Sequence, residues 1–415
     1  MNQSSQAHPA TSDLLLPYGT HSCWTIQNQP NIASYLDTPF SAVANLTQTV
    51  SESLRKPLDF PSMDQATVSG DTVAFALDPQ LPDIANLSGE IINWFVQHGT
   101  SPANVRCVDA GQEPTISQAI QEKIASKIGD EFDYEIHDPD DSDKLAYLAA
   151  NAAADPIYMN RTLVDADVVI PVCSTRRASA IDYLGSNSLY PLLCDRETRG
   201  RFFALSALQD AERKQELIEW AEEATRWAGF MVQIQALGTG QGGSLGQLRS
   251  GLIESLNAVV AEADQQWNTQ LAQADMTVAL VPGTDSSWID FAQALHVANQ
   301  ATTDHGTIVM CTELGGALGK SLRRLKDSQI EQASLLKRIT KDTCDDSVAA
   351  ALIAQITQDK HIYLVSNLRV DSVEGIGLGV LQSQEELDHL LSQFPSTNII
   401  GSAQFRHISF LSDGE

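Results

Sequence analysis

Short apolar runs that alternate with amphipathic segments are the feature that most constrains the fold of this chain. DTVAFAL at 71–77 and VRCVDAG at 105–111 are typical of buried strands. Between them, SGEIINWFVQHG at 88–99 has helical periodicity, with Ser88 as the expected N-cap. A repeated unit of strand, helix and strand with short connections predicts a mostly parallel sheet with helices on its faces.

The same alternation runs to the end of the chain and indicates two α/β domains. Further predicted elements are a hairpin at 14–26, helices at 114–129, 213–229 and 249–266, strands at 132–138 and 167–173, and paired strands around the glycine-rich turn in 230–248. A new sheet is expected to start with ADMTVALVPG at 274–283. We therefore predict a disordered tail at 1–13, an N-terminal domain at 14–270 and a C-terminal domain at 271–415.

Charge and cysteine content limit the kinds of partner. A formal net charge of −27 argues against binding to nucleic acids or anionic membranes, because both need a basic surface. The six cysteines include no CxxC pair and no zinc-type spacing, which fits a reducing compartment. No apolar stretch reaches the roughly 20 residues of a membrane span. These features predict a soluble, cytoplasmic protein.

One motif suggests an anion site, and two glycine-rich segments do not. STRR at 174–177 directly follows a predicted strand, so hydroxyl, amide and guanidinium groups there can converge on a carboxylate or phosphate; a surface turn is the competing interpretation. DRETRGRF at 195–202 adds three further arginines. GGALGKS at 315–321 lacks P-loop spacing, because Gly315 and Gly319 enclose three residues instead of four.

Several segments together resemble one enzyme family. They are LPYG (16–19), LDPQLPD (77–83), DAGQEPT (109–115), NRTLVDADVVIPVCST (160–175), GFMVQIQALGTGQGGSLGQL (229–248), ADMTVALVPG (274–283), AQALHVANQAT (292–302), HGTIVMCTELGGALG (305–319) and HIYLVSNL (361–368). In order and spacing they are similar to the nickel-pincer lactate racemases, the LarA family, and the chain resembles a divergent member. The likeness covers roughly residues 14 to 412.

This resemblance implies a two-domain α/β fold with an active site between the domains. In the family a nickel-pincer nucleotide accepts a hydride from a 2-hydroxy acid while histidines move the hydroxyl proton, so an active member is an isomerase. The protein supplies a lysine that anchors the cofactor, a histidine on the metal and cationic side chains for the substrate.

The sequence departs from that pattern at the positions that carry the chemistry. It has no histidine between His137 and His296 and no lysine between Lys144 and Lys214, the stretches in which the family places its metal ligand and its anchor. Gln112 and Glu113 stand where a proton-moving histidine is expected. Of these two, only Glu113 can act as a base, if burial raises its pKa.

Two more family positions are altered. The loop that offers an arginine to the substrate here contains Asp78 and Gln80, and His296 takes the place of a lysine near the cofactor. Because His296 lies in an apolar helix, packing in the core is its competing interpretation. The candidate residues are Glu113, Asp78 and His296 for catalysis and Gln80, Gln112, Ser174, Thr175, Arg176, Arg177 and Glu313 for ligand binding, with no metal ligands.

Three functions stay open at this point. The first is a lactate-racemase-like protein that has lost pincer catalysis and binds a small carboxylate or phosphorylated ligand in its interdomain cleft. The second is an active racemase or epimerase that holds the nickel-pincer nucleotide non-covalently through Arg176, Arg177 and His296. The third is a structural subunit of a larger complex.

Overall fold

The structure, a computed structural model, describes most of the chain. The described residues are 13–19, 22–111, 114–150, 154–175, 187, 189–202, 210–240, 243–282, 287–326, 331–339, 341–342, 344 and 346–410. The tail expected at 1–13 lies outside these ranges except for Asp13. In the described part, no helix is long and apolar enough to cross a membrane.

Helices and strands alternate along the described chain. The strands are β1 (Leu14–Pro17), β2 (Cys23–Ile26), β3 (Ile32–Tyr35), β4 (Val73–Leu77), β5 (Val105–Asp109), β6 (Asp133–Ile136), β7 (Leu145–Ala150), β8 (Pro156–Asn160), β9 (Val168–Ser174), β10 (Val232–Gly238), β11 (Leu245–Leu252), β12 (Asn268–Leu271), β13 (Ala274–Val281), β14 (Thr302–Thr312), β15 (His361–Val365), β16 (Gly379–Val380), β17 (Thr397–Ile400) and β18 (His407–Phe410). The α-helices are α1 (Leu46–Arg55), α2 (Ile84–Gln97), α3 (Pro114–Ile128), α4 (Arg161–Asp165), α5 (Leu189–Leu192), α6 (Arg196–Phe202), α7 (Ala211–Trp227), α8 (Ile253–Gln266), α9 (Trp288–Ala301), α10 (Lys320–Arg324), α11 (Gln332–Ile339), α12 (Ser347–Ile356), α13 (Val370–Glu374) and α14 (Gln384–Leu391).

The first large sheet has helices on both faces. Its order is β11-β10-β9-β4-β5-β6, and every neighbouring pair is parallel except β10 with β11. All five residues of β4 are buried. Val73, Phe75 and Leu77 pack against α1, α2 and α3, while Ala74 and Ala76 face α4 to α7. A strand buried on both faces has no polar alternation, which explains its continuous apolar sequence.

The second large sheet is fully parallel, with the order β16-β15-β14-β13-β17-β3. One face packs against the helices α9 to α13, and the β1–β2 hairpin and α14 cover the other. The edge strand β3 lies within the 14–270 segment of the sequence but pairs with β17, near the end of the chain. The domain limits at 270 and 271 stay a prediction.

In each large sheet, the strand order reverses at one pair of neighbouring strands. The chain runs outward from β4 through β5 to β6, and then returns to the other side of β4 with β9. In the second sheet the corresponding pair is β13 and β17. Open α/β sheets bind ligands in the crevice at the carboxyl ends of such strands, so these two points locate the candidate site.

Most predicted elements are confirmed, and two helix starts are wrong. α2 begins at Ile84 after the N-cap Asp83, so Ser88 is not a cap but a buried residue inside the helix. The helix predicted at 249–266 begins only at Ile253, because β11 continues its pairing with β10 as far as Leu252. The predicted hairpins at 14–26 and 230–248 are present as antiparallel pairs.

Burial of His137 predicts a loss of stability in mild acid. The ring is 1% exposed, its Nε2 lies 3.0 Å from the carbonyl oxygen of Cys194, and burial lowers the pKa of the imidazole to about 4. An unfolded histidine has a pKa near 6.5, so the unfolded chain binds the proton first as pH falls and folding loses roughly 2 kcal/mol by pH 5. Urea unfolding of wild type and His137→Gln at pH 7 and pH 5 measures this difference.

We expect His137→Gln to be less stable at pH 7 but to lose less stability on acidification than wild type. His389→Gln, which replaces an exposed histidine, is the matched control and should follow the wild-type pH dependence. Equal pH dependence in all three proteins would show that folding does not lower the pKa of His137.

Candidate functional site

Asp78 joins two strands at the reversal point of the first sheet. It directly follows β4 and is 3% exposed. Its Oδ1 accepts a hydrogen bond from the amide of Gln80 at 2.9 Å, and its Oδ2 accepts one from the amide of Ser174 at 3.0 Å. The predicted residues Asp78, Gln80 and Ser174 are thus neighbours, and the carboxylate holds the loop after β4 against the end of β9.

Thr175 continues this edge and is held by a chain of buried amides. Its amide donates to Ala236 at 2.7 Å, and its hydroxyl donates to Oε1 of Gln235 at 2.6 Å. Gln235 in turn donates to Gln233 at 2.8 Å, and Gln233 donates to the Cys173 sulfur at 2.9 Å. Because the Thr175 hydrogen is committed to Gln235, its hydroxyl offers lone pairs to any further partner.

Asp109, at the end of β5, is a structural carboxylate. Its oxygens accept hydrogen bonds from the Ser117 hydroxyl at 2.6 Å, the Tyr134 hydroxyl at 2.8 Å and the Gly111 amide at 2.8 Å. Burial, together with the charge of Asp109, raises the pKa of Tyr134. Three donors and 1% exposure leave Asp109 as an anchor for α3 and β6.

Glu313 lies at the carboxyl edge of the second sheet, directly after β14. The Ser22 hydroxyl donates to its Oε1, and its carbonyl oxygen accepts from the Asn367 side chain at 3.1 Å. The Glu313 side chain fills the space that a Cβ at Gly19 would take, so residue 19 has to be glycine for this contact. Glu313 therefore fastens the turn of the β1–β2 hairpin to the second sheet.

The carboxyl edges of the two sheets meet at one hydrogen bond. Ser402, which follows β17, donates its hydroxyl to the carbonyl oxygen of Gly240 at 2.6 Å. Gly240 lies two residues beyond β10, has a φ of +78° and packs so closely on Trp267 that a Cβ would overlap the ring. Ser402 is itself 2% exposed, which makes this a buried junction between the two sheets.

The structure places His296 away from the carboxyl edges of the two sheets. It lies on α9 and lines a depression of about 320 Å³ together with Asp304, Asp359 and Lys360. These residues lie near the amino ends of β14 and β15, on the opposite edge of the second sheet from Glu313. The Lys360 amine donates to the carbonyl oxygens of Asn299 at 3.0 Å and Thr302 at 2.9 Å, and burial lowers its pKa.

The remaining predicted residues cannot be placed. Gln112, Glu113, Arg176 and Arg177 lie outside the described residues. Their roles stay predictions from the sequence, although their neighbours Gly111 and Thr175 lie on the carboxyl edge of the first sheet.

The glycine-rich segment at 315–321 has its own internal anions. Asp346 accepts a hydrogen bond from the Leu322 amide at 3.0 Å, and its carboxylate occupies the space beside Gly319. The Lys320 amine pairs with Asp342 at 3.0 Å. The lysine and the amide that a P-loop would offer to phosphate are thus held by carboxylates of the protein itself. This agrees with the glycine spacing, which is not that of a P-loop.

Among the described residues, no group of three or more His, Cys, Asp or Glu side chains is arranged to hold a metal ion. His137 directly follows β6, at the carboxyl edge of the first sheet. Its ring is buried against Cys194 and Asn160. Both ring nitrogens of His137 have partners in the protein, so this residue does not fit the role of a nickel ligand for the pincer nucleotide.

Comparisons with known proteins identify a shared fold. No protein-family model matches the sequence, and no curated protein matches it either. A solved structure of the lactate racemase apoprotein from Thermoanaerobacterium thermosaccharolyticum superposes with a TM-score of 0.76 at 13% identity, covering 96% of this chain and 100% of that one. A Thermotoga maritima protein of known structure gives 0.62 at 11% identity, covering 90% and 100%. The chain therefore has the α/β fold of lactate racemase.

Proposed function

We propose that this protein binds a small carboxylate or phosphorylated ligand between the carboxyl edges of its two large sheets, and that it has lost nickel-pincer catalysis. The observation that carries the proposal is the junction of Ser402 with Gly240, since it brings together the edges at which open α/β sheets bind ligands. In this function the protein is a divergent, lactate-racemase-like binder.

The first sheet supplies a rigid wall for such a site. Asp78 fixes the loop after β4 to the end of β9, and Gln235 fixes Thr175 beside it. Groups held by buried hydrogen bonds lose little further freedom when a ligand arrives, which favours binding. Gln80 lies on the same loop, is partly exposed, and its side chain makes no hydrogen bond to another described residue, so it is available to a ligand.

In this function, Arg176 and Arg177 bind the anionic group of the ligand. They directly follow Thr175, which the structure places at the carboxyl edge of the first sheet, and they bring two positive charges to a chain with 26 basic and 53 acidic residues. Guanidinium groups bind carboxylate and phosphate oxygens in bidentate geometry.

Loss of the pincer chemistry rests on missing side chains. The interval between His137 and His296 has no imidazole, and the interval between Lys144 and Lys214 has no amine. Without an imidazole on the metal and a lysine for covalent attachment, the family's cofactor has neither of its usual protein bonds. Asp78 does not replace them, because both of its oxygens already accept backbone hydrogen bonds.

Metal analysis tests this loss directly. Protein produced together with the enzymes that make the pincer cofactor should contain far less than one nickel per chain and show no absorbance above the protein band. Elemental analysis by mass spectrometry and a visible spectrum measure both quantities. One nickel per chain with a visible band would contradict the loss of the cofactor and favour the active racemase or epimerase instead.

Thermal shift with a panel of small carboxylates and phosphorylated metabolites tests binding. A ligand that binds only the folded protein raises its melting temperature, by an amount that grows with ligand concentration. We expect at least one ligand to stabilise wild type, and the double variant Arg176→Ala, Arg177→Ala to lose most of that shift. Arg226→Ala, at an exposed position near the end of α7, is the matched control and should keep it.

Gln80→Ala separates binding from folding. Because the side chain makes no hydrogen bond to another described residue, the variant should unfold like wild type without ligand but show a several-fold weaker affinity by calorimetry. Gln97→Ala, at the exposed far end of α2, serves as the control. Absence of any stabilising ligand, or ligand shifts that both arginine and Gln80 variants retain, would contradict the proposed site.

A further inference from the structure

Gln404 is a buried carboxamide with only one of its two ends satisfied. It lies in the short turn Ala403–Phe405 after β17 and is 5% exposed. Its Nε2 donates to the carbonyl oxygen of Pro282, directly after β13, at 3.0 Å. Its Oε1 is shielded from solvent and has no hydrogen-bond partner among the residues that the structure describes. Gln404 thus spans the β13–β17 reversal point and carries one orphaned acceptor.

The chemistry of Pro282 fixes which end of the amide is orphaned. A carbonyl oxygen accepts hydrogen bonds and cannot donate one. Turning the Gln404 amide by 180° would set its Oε1 against that oxygen and lose the hydrogen bond. The unsatisfied group is therefore the carbonyl oxygen, and what it lacks is a donor.

Gln404 belongs to the same segment after β17 as the junction between the two sheets. Ser402, two residues earlier, makes the hydrogen bond to Gly240 that joins the two carboxyl edges. On the other sheet, the Thr175 hydroxyl has given its hydrogen to Gln235 and likewise offers only lone pairs. Buried acceptors without donors are uncommon in folded proteins, because leaving one unpaired costs free energy.

We propose that Gln404 is a specificity-determining residue whose Oε1 accepts a hydrogen bond from a hydroxyl or amino group of the bound ligand. This inference rests on the proposed function and adds a requirement to it. Ionised carboxylate and phosphate oxygens carry no hydrogen, so the anionic group cannot satisfy Gln404. The ligand must also bear a separate donor, and analogues without that donor are rejected because they leave the carbonyl unpaired.

Probes with the same anionic group, with and without a hydrogen-bond donor, test the requirement in wild type. Acetate is compared with glycolate and glycine, and propyl phosphate with glycerol phosphate, by calorimetry. Within the series that binds, we expect the member with a hydroxyl or amino group to bind roughly tenfold or more tightly than the member without one. Equal affinities within every pair that binds would overturn the inference while leaving the proposed function intact.

The variant Gln404→Met removes the acceptor at nearly constant volume. It should bind both members of a pair with similar affinity, because the preference for the donor is lost while the anionic group is still held. Gln300→Met, at an exposed position on α9, is the matched control and should keep the preference. A Gln404→Met protein that still discriminates as wild type does would refute the assignment.

The design separates the two proposals. If no member of any pair binds wild type, the proposed function fails and the inference fails with it. If wild type binds but shows no donor preference, only the inference fails. The comparison in wild type does not depend on any variant. It therefore tests the inference even if Gln404→Met does not fold.

Discussion

The buried carboxylate of Asp78 connects parts of the chain that are far apart in sequence. It accepts the amide hydrogen of Ser174, 96 positions further along, and at the same time that of Gln80 in its own loop. Strands β4 and β9 are the central pair of the first sheet. An acceptor with two amide donors at this place holds the loop after β4 against the end of β9. The ends of β5, β9 and β10 are arranged around that fixed point.

Much of the fold could be predicted because the main strands are buried on both faces. VAFAL in β4 and the apolar run in β13 have no polar alternation, and continuous runs bounded by turn residues are the clearest strand signal in an α/β protein. β3 was missed for the opposite reason. Its four residues are only partly buried or exposed, and its pairing with β17 depends on a contact between the two ends of the chain that no local pattern contains.

The site was predictable only in part. The family resemblance singles out Asp78 and Gln80, and the anion motif singles out Ser174 and Thr175. The parallel pairing of β4 with β9 explains why the structure brings them to one edge. The helix that carries His296 gives no sign in its periodicity of which end of the sheet the side chain lies near. Gln404 lies in no recognisable sequence motif. The glutamines of β10 did leave a signal, since Gln233 and Gln235 interrupt an apolar strand on one face, and paired polar residues in a buried strand predict a hydrogen-bonded partner.

The exchange of β3 between the halves has a consequence for how the protein is made. The ribosome releases the first sheet complete, since its last strand β11 ends at Leu252, but the second sheet has its outermost strand at the very beginning of the chain. Asn31, beside β3, donates to Phe394, 363 positions later. Strand β3 therefore cannot pair with β17 until the chain has been made as far as Ile400. Contacts between residues so far apart in sequence form slowly, because a long loop must be closed before they can contribute.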